Sequence, residues 1–163
     1  MFFKKNGQIS SIDMLISGII FLMIFISIRS IWIENLNEIQ DSLNSYELEL
    51  KSIQAINCLL KTPGFPIDWN SSNVELIGLA KKPFVLSEDK VNKFLLLDYN
   101  SAKRALGIDG YEFNFTIFDD ALDENKFFGI NPTQKSVVYS VNRKVIFNEV
   151  SANAKISIFY EPK

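Results

Sequence analysis

Apolar positions crowd the start of this chain. After the basic leader Met1-Phe2-Phe3-Lys4-Lys5-Asn6-Gly7-Gln8 and the segment Ile9-Ser10-Ser11-Ile12-Asp13, the stretch from Met14 to Ile28 carries no charge. Crossing a bilayer takes about 20 apolar residues, so this stretch needs its flanks. Arg29 can snorkel, and Ile31, Trp32 and Ile33 continue the apolar surface, with Trp32 where an interfacial aromatic belongs. A helix over Ile9 to Ile33 is about 37 Å long at 1.5 Å per residue and spans with some tilt.

From Trp32 the spacing of apolar residues changes to four, three, four, three: Trp32, Leu36, Ile39, Leu43, Tyr46, Leu50, Ile53. Polar residues fill the gaps, which predicts a narrow packing stripe on a polar helix. No Pro or Gly interrupts from Ile19 to Thr62, so one helix runs out of the membrane until Pro63-Gly64 stops it. Between Leu48 and Leu60 the stripe broadens through Leu59 and Leu60. Those turns are expected to pack on the chain's own domain, leaving the turns nearer the membrane for partners. Cys58 lies there and reads as a small buried hydrophobe.

Residues 63–163 suffice for one small core. Pro63 to Ser72 is rich in turn residues, with Phe65 and Trp69 as anchors. A strand is predicted over Val74 to Leu79, broken by Lys81-Lys82-Pro83. Ser87 is placed to cap a helix from Glu88 to Leu97, and a second helix over Ser101 to Leu106 closes at Gly107. Tyr111 to Ile117 alternates aromatic and polar residues as a strand does. Asp119 to Asn131 reads as an acidic loop. Val137 to Val141, Lys144 to Glu149 and Lys155 to Tyr160 read as strands, the last two joined by a hairpin near Ser151 to Asn153. This order predicts an α+β fold: a meandering antiparallel sheet with one face covered by the long helix. The expected organisation is a leader over 1–7, a membrane helix over 8–33, a helical stalk over 34–62 and an outer domain over 63–163.

Composition narrows the chemistry. The chain has 163 residues with 17 Lys and Arg against 19 Asp and Glu, so no basic field exists for nucleic acid. Histidine is absent and Cys58 is the only cysteine, which excludes a Ser-His-Asp triad, a disulfide framework and clustered zinc ligands. Asp119-Asp120, Asp123 and Glu124 lack the alternating spacing and central glycine of an EF-hand, and read as a solvated loop. No phosphate-binding glycine run occurs. The expectation is a non-enzymatic protein with no cofactor, no metal and no small-molecule substrate.

The N-terminus carries the sharpest motif. Lys4 and Lys5 precede the apolar stretch, whereas Glu34, Glu38, Asp41, Glu47 and Glu49 follow it without a base, so the positive-inside rule puts the N-terminus in the cytoplasm and the rest outside. A secretory signal peptide would need a small-x-small site, and Arg29-Ser30-Ile31-Trp32 offers none. A plain signal anchor fits. Gly7-Gln8-Ile9-Ser10 followed by Asp13 also resembles the class III signal peptides of archaeal type IV pilin-like proteins. That resemblance implies a prepilin peptidase cutting between Gly7 and Gln8, with the apolar helix retained. It departs in one place: the family's carboxylate stands fifth after the cut, here Ile12, and Asp13 is sixth. The run TPGFPIDWN, IGLA, LSEDKVNKF, LDYNSAKRALG and YEFNFTI is similar to outer domains of the same family.

Asp13 has two accounts. With Ser10 or Ser11 as N-cap it sits in the first helical turn and favours the helix dipole. The resemblance implies instead that it neutralises the amine of a neighbouring subunit. Two Asn-x-Ser/Thr sequons, at Asn70 and Asn114, are candidate glycosylation sites, and Pro132 blocks a third at Asn131. The function expected is a membrane-anchored pilin-like subunit or minor pilin of a cell-surface filament, with the membrane, the peptidase and other subunits as partners. The alternative is a monomeric membrane-anchored binding protein that never enters a fibre.

Overall fold

The structure is a computed structural model that describes residues 5–119 and 125–162. One α-helix, α1 (Lys5–Lys61), opens the chain. Two compact units divide between Ser45 and Tyr46, so the stalk and domain boundary expected at 62/63 falls inside the second unit.

The first unit is the N-terminal part of α1. The helix, described from Lys5 onward, already contains Ser10 and Ser11, which places Asp13 beyond the first turn and overturns the capping account. Once an apolar helix is nucleated, each further residue adds a hydrogen bond without a new nucleation cost, and Asn6, Gly7 and Gln8 follow. Large apolar side chains from Ile12 to Ile33 are exposed along this unit, and Phe21 stacks on Phe25 at 6.3 Å. One helix near the N-terminus is thus long and apolar enough to cross a membrane.

The second unit is α+β. The last turns of α1 pack with two short helices, α2 (Glu88–Leu95) and α3 (Tyr99–Ala105), and a six-stranded sheet built from β1 (Ala80–Lys82), β2 (Val85–Leu86), β3 (Glu112–Asp119), β4 (Asn125–Gly129), β5 (Val137–Phe147) and β6 (Val150–Tyr160). The strand order is β1-β2-β5-β6-β3-β4. This is not the expected meander, because β6 inserts between β5 and β3. Pairing is antiparallel except between β2 and β5, where Val85 faces Ile146 in parallel. The inward rows Phe113, Phe115, Ile117 on β3 and Ala152, Ala154, Ile156, Ile158 on β6 are in register and buried. Leu48, Ala55, Ile56, Leu59 and Leu60 of α1 join them in one core with Val91 and Phe94 of α2.

Four local expectations change. Val74 to Leu79 is not a strand; Leu76 alone makes an isolated bridge, to Phe65, and the strand begins at Ala80, through the residues expected to break it. The cause is competition for donors. The carbonyls of a helix's last turn have no partner within it, and here Leu79 N–H bonds Leu59 O, Ala80 N–H bonds Thr62 O and Phe84 N–H bonds Leu60 O, at 2.9, 3.1 and 2.7 Å. The expected acidic loop contains β4, with Phe128 opposite Phe115; Asp120, Asp123 and Glu124 lie outside the described residues. β5 is one strand through Asn142 and Arg143, not two. Its hairpin turns at Asn148 and Glu149, both at positive φ (50° and 66°), and not at Ser151 to Asn153, where Ala152 is needed in the core. Positive φ at both central residues matches the right-handed twist of the strands, and Asn tolerates it.

The turn-rich segment after α1 closes on Gly78. Trp69 is buried and its indole N–H donates to Gly78 O at 3.0 Å, whereas Phe65, the other expected anchor, is exposed. A Cβ on Gly78 would sit 2.2 Å from Gly64 N and 2.3 Å from Thr62 O, so only glycine lets these backbone segments touch. Cys58 is half-buried, its thiol bonded to Ile77 O, and burial raises its pKa above the ordinary value, as suits a packed thiol.

Candidate functional site

Within the second unit α1 shows two opposed faces. At 100° per residue, Leu50 and Ile53 fall within about 40° of Tyr46, whereas Leu48, Ser52, Ala55 and Leu59 lie about 180–240° around the axis. Their burial divides accordingly: Leu48 is 2% and Ser52 0% exposed, against 60% for Tyr46 and 38% for Leu50. The domain therefore takes the face away from the stripe. Ile53 is the exception, partly buried against the core. In the first unit Trp32, Leu36, Ile39 and Leu43 are all exposed. A run of large apolar side chains of this extent marks a surface for membrane or protein contact.

What holds the domain's face of α1 is polar as well as apolar. Tyr139 on β5 donates to Glu49 Oε1 at 2.9 Å, and that bond, with lesser burial and charge effects, raises the phenol's pKa. Lys51 donates to Gly107 O at 3.0 Å, just past the end of α3. Ser52 returns its hydroxyl to Leu48 O at 2.8 Å, so its burial leaves no donor unpaired.

The remaining sequence-derived positions are spread apart. Gly7 and Gln8 lie in α1, near its start, and Asp13 is exposed on the same helix. Asn70 is exposed in the turn that follows Trp69, its Oδ1 accepting from Ser72 N–H at 2.8 Å. Asn114 is half-buried in the middle of β3, paired with Gly129 on one side and Ser157 on the other. The two sequons are thus in opposite settings.

Two features were invisible in the sequence. A polar cleft of about 350 Å³ opens between the Asn70 turn and α3, walled by Ser71, Ser72, Glu75, Ser101 and Arg104. It joins segments some thirty positions apart, and no local spacing announces it. The second is a pin between α3 and β3. Tyr99 donates to Glu112 Oε2 at 2.7 Å and accepts from Phe113 N–H at 3.0 Å, while Lys103 reaches Glu112 Oε1 at 2.8 Å. Desolvation pushes the Glu112 pKa up, but the bonds from Lys103 and Tyr99 outweigh it and hold the carboxyl below its ordinary value. Desolvation, with Glu112 beside it, pushes the Tyr99 phenol well above its own. Asp98, bonded to Ser101 N–H at 2.9 Å, caps α3 where Ser101 was expected to begin it; the Asp followed by a helix-forming run was the available signal. Ser87 stands at the cap of α2 but makes no side-chain cap bond.

Among the described residues no group of three or more His, Cys, Asp or Glu is placed to hold a metal. The chain matches no protein-family model, no curated protein and no solved structure.

Proposed function

We propose that this chain is a non-enzymatic, membrane-anchored subunit of pilin-like type, inserted through the apolar part of α1 with its N-terminus in the cytoplasm, its α+β domain outside, and its stripe packed against other subunits. The observation that carries the reading is the division of α1 into opposed faces. The domain stabilises its own helix through Leu48, Ala55, Ile56 and Leu59 and leaves Tyr46 and Leu50 in solvent, with Trp32 to Leu43 equally bare in the first unit. A helix that served only as a tether would gain nothing from a second apolar row beyond the bilayer.

The leader supports the same reading. Removal of residues 1–7 would leave a free amine at Gln8 and a carboxylate at Asp13 close to the start of one helix. Both are costly in apolar surroundings unless paired, and a neighbouring copy offers the pair. N-terminal sequencing of the chain purified from membranes tests the proposal. A chain starting at Gln8 is expected; an intact Met1 leader would sink the processing step and favour the monomeric anchor.

A further inference from the structure

We infer that Asn70 carries an N-linked saccharide and that the cleft beside it, walled by Ser71, Ser72, Glu75, Ser101 and Arg104, seats the first sugars of that chain. The inference rests on the outer placement of the domain proposed above, and it separates the two sequons.

Acceptor chemistry favours Asn70. Asn70 is exposed, its Oδ1 accepts from the Ser72 N–H at 2.8 Å and its backbone N–H donates to Asn73 Oδ1 at 2.6 Å, so the group is oriented while Nδ2 makes no hydrogen bond to protein among the described residues. Asn114 offers the reverse: half-buried, on a strand paired on both sides, next to the buried Ser157. The step forms one bond, from Asn70 Nδ2 to the anomeric carbon of a saccharide. The bond from that carbon to the phosphate of a lipid-linked oligosaccharide breaks, the lipid phosphate leaves with the electron pair, and the amide proton passes to the transferase.

The cleft supplies what a saccharide needs. It begins at the two residues after the acceptor and is walled opposite by α3. Arg104 is exposed, bonds Ser101 Oγ at a long 3.4 Å and feels the charge of Asp98, and a guanidinium with five donors keeps others to offer to sugar hydroxyls. Glu75 accepts, the three serine hydroxyls do both, and Val74 and Ala105 add apolar lining for the C–H face of a ring. Weak contacts suffice, because a tethered ligand acts at an effective concentration on the order of mM.

The test uses the full chain from the cells that make it, beside the same chain from a host without N-glycosylation. Mass spectrometry is expected to find a saccharide on the Asn70 peptide, none on the Asn114 peptide, and none after Asn70→Gln. Ser72→Ala, which keeps the Ser72 backbone bond to Asn70, serves if Asn70→Gln fails to fold. Arg104→Ala is expected to lower Tm by about 2–4 °C in the glycosylated chain and leave the unglycosylated chain unchanged. An equal effect in both preparations overturns the seating. An impermeant amine reagent on intact cells reports placement through Lys81 and Lys82. Labelled lysines with a bare Asn70 overturn the inference and leave the proposed function standing; unlabelled lysines in a folded, membrane-inserted chain overturn both.

Discussion

At the scale of single residues, the fold depends on a few atoms that no local pattern singles out. Gly78 is one: Gly78→Ala would drive a methyl into Gly64 N and Thr62 O, both backbone, and forces the end of α1 away from Trp69. It is expected to destabilise the domain by more than about 3 kcal/mol, read as a lower urea midpoint of the full chain in detergent. Tyr99 is another. Tyr99→Phe keeps the stack on Phe113 at 5.2 Å but leaves Phe113 N–H unpaired, at a cost of about 1–3 kcal/mol by the same melt. The partner it loses, Glu112, contributes to the acid limb. Its folded pKa lies below the unfolded one, so its contribution is present above about pH 4.3 and is lost as pH falls through the folded value. In Lys103→Met that lowering is smaller, and Tm should fall less between pH 4.5 and pH 3 than in the parent. Trp69 was legible as an anchor in a turn-rich segment, and Gly78 only as part of a predicted strand. Their meeting was not, because eight residues lie between them and the contact is tertiary.

At the scale of elements, α1 was the most legible part of the chain and β5 with β6 the least. Fifty-seven residues of helix follow from an apolar run, a heptad stripe and a proline stop, all of them local signals. The hairpin was misplaced because Glu149 is a poor residue for positive φ; the strands dictate the turn and Glu149 tolerates it. Glu149→Gly, giving Asn-Gly at the turn, should therefore stabilise the domain by about 1 kcal/mol, measured as a raised unfolding midpoint. The stripe makes a separate prediction. In a Cys58→Ala background, Leu43→Cys in native membranes should form disulfide-linked dimers on mild oxidation, whereas Ala55→Cys, on the face the domain covers, should not. Equal yields would remove the stripe as a packing surface.

At the scale of the whole molecule, class was legible and topology was not. Alternation and helix signals are enough for α+β, since each element carries its own period. Strand order needs to know which edges meet, and nothing local says that β6 lies between β5 and β3. The cleft beside Asn70 was hidden for the same reason, while the exposure of Asn70 itself could be anticipated from its turn. The three backbone bonds from Leu79, Ala80 and Phe84 to the carbonyls of Leu59, Thr62 and Leu60, at and just past the end of α1, have a consequence in the time domain. Leu79 and Phe84 lie outside the regular elements and Ala80 at the very start of β1, places where amide protons ordinarily trade with solvent through small, frequent openings. Here none of the three can open unless the end of the helix lets go, and that end is bound into the core. Their deuterium uptake should be as slow as that of Phe115 and Ile156, and the neighbouring Asn73 amide in the Asn70 turn should exchange orders of magnitude sooner.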